Sequence, residues 1–417
     1  MADKLTLWNT ATRAAALSQM NAFRPRMGKR YASGRNFDMG PGKHGAVSCL
    51  SPFTRRRLIL EQELVTAAID DHGLEGAEKF VQEVFWRGYF KGWLERRPAV
   101  WGAYVEGLEQ DRYAIENNRK LAKRLSQAEE GRTGIACFDA WVEELVTTGY
   151  LHNHARMWFA SIWIFTLDLP WRLGADFFFR HLLDGDPASN TLSWRWVAGL
   201  HTRGKFYEAK AWNIAKFTNQ RFTPRDADLE AAPRSLHETE PGGLPEVTPL
   251  RAPTAFMPSE PFAVLVTEED CSPESWGLDL AAASGLATLT ASHLRSEQSV
   301  AEHVSRFEDG ALDDTANRLG CAAKRLRAHS VADLVTWAKS FGVAQVVTGY
   351  IPQGPLGDWA KEARASLKAE GIALVETRRD WDEAIWPHAT AGFFKVKKQI
   401  PRILGDLEIR DRQPGLF

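Results

Sequence analysis

DGDPASNTLSWRW, running from Asp184 to Trp196, decides how this chain is read. Asp184-Gly185-Asp186-Pro187 breaks whatever precedes it, and Asp186 is suited to cap a helix that Pro187 opens in its first turn. From there Asn190, Trp194 and Val197 recur at three- and four-residue steps, so an amide and an indole share one side of that helix. A flat ring with donor and acceptor edges could lie along such a side. A capped helix carrying core aromatics would have the same sequence, and the segment alone leaves both readings open.

Working outward, the pattern is helical from about Thr10 to Phe222: RRRLILEQELVTAAIDD, GAEKFVQEVFWRGYFKGWLERR and CFDAWVEELVTTG each repeat apolar residues at helical intervals. Residues 226–260 shift to Pro, Glu, Ala and Ser and read as an extended linker. Beyond it FAVLVTEED, LATLTAS, AQVVTGYIP and IALVETR are short β-rich runs separated by helical stretches, which predicts a small parallel α/β unit. The expected layout is a helical domain over 1–225, the linker over 226–260, an α/β domain over 261–405 and a tail over 406–417. Each domain is expected to fold on its own core.

The 417 residues are 44% hydrophobic and 25% charged, ordinary for a globular chain with room for two or three cores. Sixteen tryptophans are many, which suits core filling and also suits a protein that passes single electrons through indoles. Cys49, Cys137, Cys271 and Cys321 form no C-x-x-C pair, so no metal site or iron–sulfur cluster is signalled and reduced thiols are expected. MADKLTLWNT has no basic flank leading into an apolar core, and no apolar run reaches 18 residues, so a cytoplasmic protein without a membrane partner is expected. The net charge of −1 conceals an asymmetry: residues 1–60 hold eleven Lys and Arg against only Asp3 and Asp38. That region can attract phosphates, of nucleic acid or of a dinucleotide, or can be a solvated face.

The order and spacing of several blocks together resemble the DNA photolyases and cryptochromes. Besides DGDPASNTLSWRW, they are Gly131 to Asn190 with Asn153, Arg156, Met157, Trp171 and Arg172 as landmarks, GAVSCLSP (Gly45 to Pro52), which is similar to a phosphate-cradling Thr-Ser-x-Leu-Ser segment, and EVFWRGYF (Glu83 to Phe90), which is similar to a Glu-x-x-Trp-Arg lesion-pocket helix. The resemblance covers roughly the first 225 residues. It implies a mainly α fold, with an all-helical FAD-binding domain followed here by a smaller Rossmann-like α/β domain with a parallel sheet. Those families place the α/β domain first, so the order in this chain is permuted; TAGFFKVKKQIPRIL (Thr390 to Leu404) is similar to the end of that domain. The Arg-Arg-Asp-Leu-Arg signature is absent after FAVLVTEED, which counts against an antenna chromophore.

Position by position, the resemblance implies that Tyr31, Val47, Ser48, Leu50, Ser51 and Arg87 lie along the phosphates of FAD, with Val47 in place of the usual Thr, and that Phe80 forms a ring-lined wall where many members carry Trp. Asn153 and Arg156 would follow, Arg156 pairing with Asp184 beside the flavin and Asp186 accepting from its imide nitrogen. Asn190 would face the redox nitrogen. Glu83, Trp86, Met157 and Trp196 would complete a lesion pocket, and Trp194 and Trp171 would begin an electron-transfer chain whose third position is Asn118. Arg203, Lys205 and Lys210, interleaved with Phe206, Tyr207 and Trp212, would meet DNA. Asn153 and Met157, rather than histidines, point within the family to cyclobutane pyrimidine dimers in DNA as the lesion. The expected protein is a monomeric, light-driven repair enzyme that uses no metal. A blue-light photoreceptor that binds FAD and signals by protein contact is the alternative, favoured by the permuted order, Asn118 and the divergent segment after Trp196.

Overall fold

The computed structural model describes residues 10–231, 235–320 and 322–409; Cys321 and the end of the expected tail lie outside the described residues. Among the described residues, eleven α-helices precede the sheet: α1 (Arg13–Phe23), α2 (Lys29–Gly34), α3 (Ser51–Arg55), α4 (Glu61–Glu95), α5 (Pro98–Glu116), α6 (Arg119–Glu129), α7 (Ala136–Thr148), α8 (Asn153–Ser161), α9 (Trp171–His181), α10 (Pro187–Val197) and α11 (Ala211–Phe217). Their ends follow local chemistry. Thr12 caps α1 by accepting from the Ala15 N–H, Asp186 caps α10 by accepting from Ser189, and Gly149, at φ 70°, ends α7 in the left-handed region. Long α4 is kinked at Gly73, where φ is 67°.

The α/β part alternates β1 (Phe262–Thr267), β2 (Leu286–Thr290), α12 (Glu302–Arg318), β3 (Lys324–Arg327), α13 (Val331–Ser340), β4 (Gln345–Gly349), α14 (Pro355–Ala369) and β5 (Ala373–Thr377), and closes with α15 (Asp380–Ile385), α16 (Phe394–Lys397) and α17 (Ile400–Asp406). All strands are parallel, in the order β3-β2-β1-β4-β5. This is the doubly wound arrangement the alternation predicts. Edge strand β3, KRLR, buries only Leu326 and has no apolar period, so the sequence reading had no signal for it.

One core runs through both parts of the molecule, contrary to the expectation of separate cores. Along β1, Phe262, Val264 and Val266 join the same apolar cluster as the helical part, together with Val347, Val375, Trp381 and Trp386. Ala263 and Leu265, on the other face, join a smaller cluster roofed by α13 and α14. The closing helices return to the N-terminal part: α15 packs on α4, where Gly92 leaves so little room that a Cβ would meet Trp386 at 2.7 Å.

Charge locks the same contact. The Arg55-Arg56-Arg57 run meets Glu268-Glu269-Asp270 at the end of β1, all six residues being buried. Arg55 binds Glu269 at 2.7 Å, Arg56 lies 3.1 Å from Glu268, and Arg57 donates to both oxygens of Asp382 at 2.8 and 2.7 Å. Lys91 adds a contact of 3.0 Å to Glu269. These three arginines therefore bind acids of the α/β part. The same geometry explains why acids replace the basic signature after β1. Beyond the carboxyl ends of β1 and β4, where open α/β sheets bind ligands, Lys91 of α4 contacts Glu269 and Glu95 of α4 accepts from Tyr350 and the Gln353 N–H, both at 2.6 Å.

Candidate functional site

The site is organised by the turn at residues 184–186, which leads α9 into α10. Arg156 of α8 donates to Asp184 at 2.8 Å, while Arg87 of α4 approaches Asp186 at 3.3 Å, so α8 and α4 are tied to successive acids of one turn. Around it the sequence-predicted residues are half-buried or exposed on three helices: Glu83, Trp86 and Arg87 on α4, Asn153, Arg156 and Met157 on α8, and Trp196 on α10. Ser189 and Ser193 share the open side of α10 with Trp196 at helical spacing. The sequence reading did not single out these serines, although their positions relative to Trp196 could have.

The Asn190 side of α10 lies inward instead. Asn190 donates its amide to the Ala175 carbonyl at 2.8 Å and is 9% exposed. Trp194 is buried among Phe178, Phe159 and Trp163, its ring 6.2 Å from that of Trp163. Gly174 permits this: a Cβ there would meet Trp194 at 2.3 Å. Trp171 is buried against Tyr104, 5.8 Å between rings, and Asn118 caps α6 through the Leu121 N–H.

The two acids of the turn differ. Asp186 is buried, and although burial alone would raise its pKa, Lys91, Arg87 and Arg55 outweigh that and hold it well below the usual carboxylate range. Its oxygens are taken by the Ser189 N–H, Arg87 and Lys91, so a ring donor reaching it would have to displace one of these groups. Asp184 uses one oxygen for Arg156; Oδ1 is buried with no partner among the described residues. Arg87 also donates to Glu61 at 2.9 Å, which places it in the buried ionic network.

Glu83 pairs with Arg35 rather than with Arg87. Burial raises its pKa, opposed by that arginine. Tyr31 packs edge-on against Phe80 at 5.2 Å, Ser48 and Val47 are half-buried, Leu50 is buried and Ser51 exposed, with Gln19 donating to the Ser48 carbonyl at 2.9 Å. Trp86 is covered on one face by Phe393, stacked at 3.9 Å and 14°, a contact no local sequence pattern could reveal. Trp196 stacks on Tyr207 at 5.5 Å and stays 37% exposed. Arg203 and Lys205 are exposed, whereas Lys210 is paired with Glu208 at 2.6 Å. A separate cavity of about 290 Å³ lies between α5 and α14, lined by Trp101, Glu106, Asp358 and Lys361 among others. It includes none of these residues.

Residues 80–225 match the family model described as the FAD binding domain of DNA photolyase. That stretch is similar to the FAD-binding part of the photolyase/cryptochrome family. Among curated relatives, the deoxyribodipyrimidine photo-lyase of Streptomyces griseus is 39% identical over 158 residues, 38% of this chain and 33% of that protein. The one from Thermus thermophilus is 35% identical over 193 residues, 45% of this chain and 42% of that protein. The chain thus spans well under half the length of these relatives. Among solved structures, a bacterial class III photolyase from Agrobacterium tumefaciens is similar at 26% identity and a TM-score of 0.39, covering 50% of this chain and 43% of that one. A Synechocystis cryptochrome is similar at 22% and the same TM-score, covering 50% and 44%. No helix among the described residues is long and apolar enough to cross a membrane.

Proposed function

We propose that this protein is a light-driven lyase that holds FAD against α4, α8 and α10 and reverses cyclobutane pyrimidine dimers in DNA. The observation that carries this reading is the Arg156–Asp184 pair with the unpartnered, buried Asp184 Oδ1, a hydrogen-bonding position left open beside a fixed guanidinium. The donor set fits the cofactor. Arg156 supplies positive charge that favours an anionic reduced ring. Ser189, Ser193 and Asn153 offer polar edges, and Ser48 and Ser51 offer hydroxyls for a diphosphate. When bound, reduced flavin supplies one electron on absorbing light and recovers it, which opens both carbon–carbon bonds of the dimer without net redox change.

The residues of the chain position the guest. Trp196 has an accessible flank on which a flipped base can stack, worth about 1–3 kcal/mol. Glu83, half-buried one turn before Trp86, would hydrogen-bond the lesion and help hold its charge after electron transfer. Arg203 and Lys205 are placed for phosphates. Asn153 and Met157 favour the cyclobutane lesion over one requiring acid catalysis. A monomer in the cytoplasm remains our expectation. Light sensing by protein contact is the second reading, favoured by the cover Phe393 places on Trp86. Illuminating the reduced, flavin-loaded protein with a dimer-containing oligonucleotide decides between them: recovery of thymine absorbance is expected for repair, and none, with flavin bound and reduced, assigns the protein to sensing.

A further inference from the structure

Behind the loop that carries Ser48, four buried side chains come together that the flavin reading does not use. Asp38 and His44 lie between α2 and α3, Glu144 is on α7, and His152 caps α8. Ligand atoms of Asp38, His44 and Glu144, one from each, lie within 4.8 Å of one another. The His44 Nε2 is 2.8 Å from Glu144 Oε1, while its Nδ1 has no hydrogen-bond partner and lies 4.0 Å from Asp38 Oδ1. Glu144 Oε2 and His152 Nε2 are likewise buried without partners, and the His152 ring is stacked on His44 at 5.8 Å. Such unpaired atoms are expensive in a protein interior unless something satisfies them.

We propose that Asp38, His44 and Glu144 bind a divalent transition-metal ion. A cation bonded to one ring nitrogen of His44 and to one oxygen each of Asp38 and Glu144 would draw together atoms that already lie within 4.8 Å of one another. Glu144 Oε2, buried and without a partner, is the carboxylate oxygen such an ion would satisfy. Mixed imidazole and carboxylate donors select zinc-like or iron-like ions over magnesium or calcium. Asp38 is already oriented for this: Gly40 N–H holds Oδ1, and Trp141 Nε1 and Arg221 hold Oδ2 at 3.0 and 2.5 Å. Two carboxylates and one arginine leave a buried charge of −1 beside a neutral imidazole, which a divalent ion reverses without excess. The ion would tie the loop bearing Ser48 to α7 and to the start of α8, where Asn153 and Arg156 follow. No local pattern signals this site, because the cysteines are not the ligands and Glu144 lies 100 residues beyond His44.

The test uses the full chain and metal ions alone. Protein purified without chelator should retain about one zinc per chain, and after chelation Co²⁺ should restore visible ligand-field bands that saturate at about one equivalent. Chelation should lower the melting temperature of the wild type. His44→Gln and Glu144→Gln should weaken Co²⁺ binding at least tenfold while leaving the helical circular dichroism in place. Absence of both retained zinc and a Co²⁺ spectrum in the wild type overturns the proposal, whatever the variants do, and leaves His44 as a structural histidine between two carboxylates. Binding that His44→Gln leaves unchanged overturns it as well.

Discussion

Asp184 gives one oxygen to Arg156 and leaves the other without a partner, whereas Asp186, two residues on, is surrounded by three cations. Two acids of one turn thereby take different roles, the first available to a ligand and the second structural. Asp184→Ala should reduce flavin retention at least tenfold with the helical content intact. Glu83→Ala should leave flavin bound and slow repair by about a hundredfold. Absorbance of bound flavin and the rate of dimer repair separate the two, and the reverse pattern would mean the two pockets are exchanged. Elsewhere Glu308 is buried, accepting from the Ala291 and Ser292 N–H groups, and burial followed by Glu268 pushes its carboxyl up to about 7. A folded pKa above the unfolded one favours the protonated form, so this contribution is full at low pH and disappears as pH rises through about 7. Glu308→Gln keeps an acceptor and cannot ionise. The wild type should lose stability relative to the variant across that window, by on the order of 2 kcal/mol, in urea unfolding followed against pH; parallel profiles would contradict the assignment.

At the scale of elements, α10 shows what the sequence made legible. The Asp186 cap and the Pro187 opening stand as read, because both depend on neighbours two or three residues away. Which side of the helix is open was not legible: the Asn190, Trp194 and Val197 side packs inward and the Ser189, Ser193 and Trp196 side is open, since orientation is set by α8 and α9 rather than by the helix itself. The partners of the arginine run were not legible for the same reason. Three adjacent basic residues resemble a phosphate contact until Glu268, Glu269 and Asp270, more than 200 residues away, are brought against them. Arg57→Met should therefore destabilise the protein by about 3–5 kcal/mol in chemical denaturation, because Asp382 would be left buried without its cation, whereas Asp270 keeps Arg379. A change under about 1 kcal/mol would show that solvent reaches the cluster. Phe393→Ala should likewise destabilise by about 3 kcal/mol and make Trp86 more accessible to a fluorescence quencher.

For the whole molecule, the fold class was legible from hydrophobic period alone, and the order of the strands follows the alternation that predicted a parallel sheet. The joining of the two parts was not, since it depends on α15 and Trp386 closing on glycines of α4. With one apolar core continuous across both parts, unfolding should be a single transition, coincident by circular dichroism and tryptophan fluorescence; two separated transitions would show that the parts are energetically independent. The central claim is that α4, α8 and α10 hold a flavin. The visible spectrum of the purified, FAD-reconstituted chain tests it most directly: flavin absorbance amounting to about one FAD per chain after gel filtration is predicted, and a colourless protein that refuses reconstitution would contradict it.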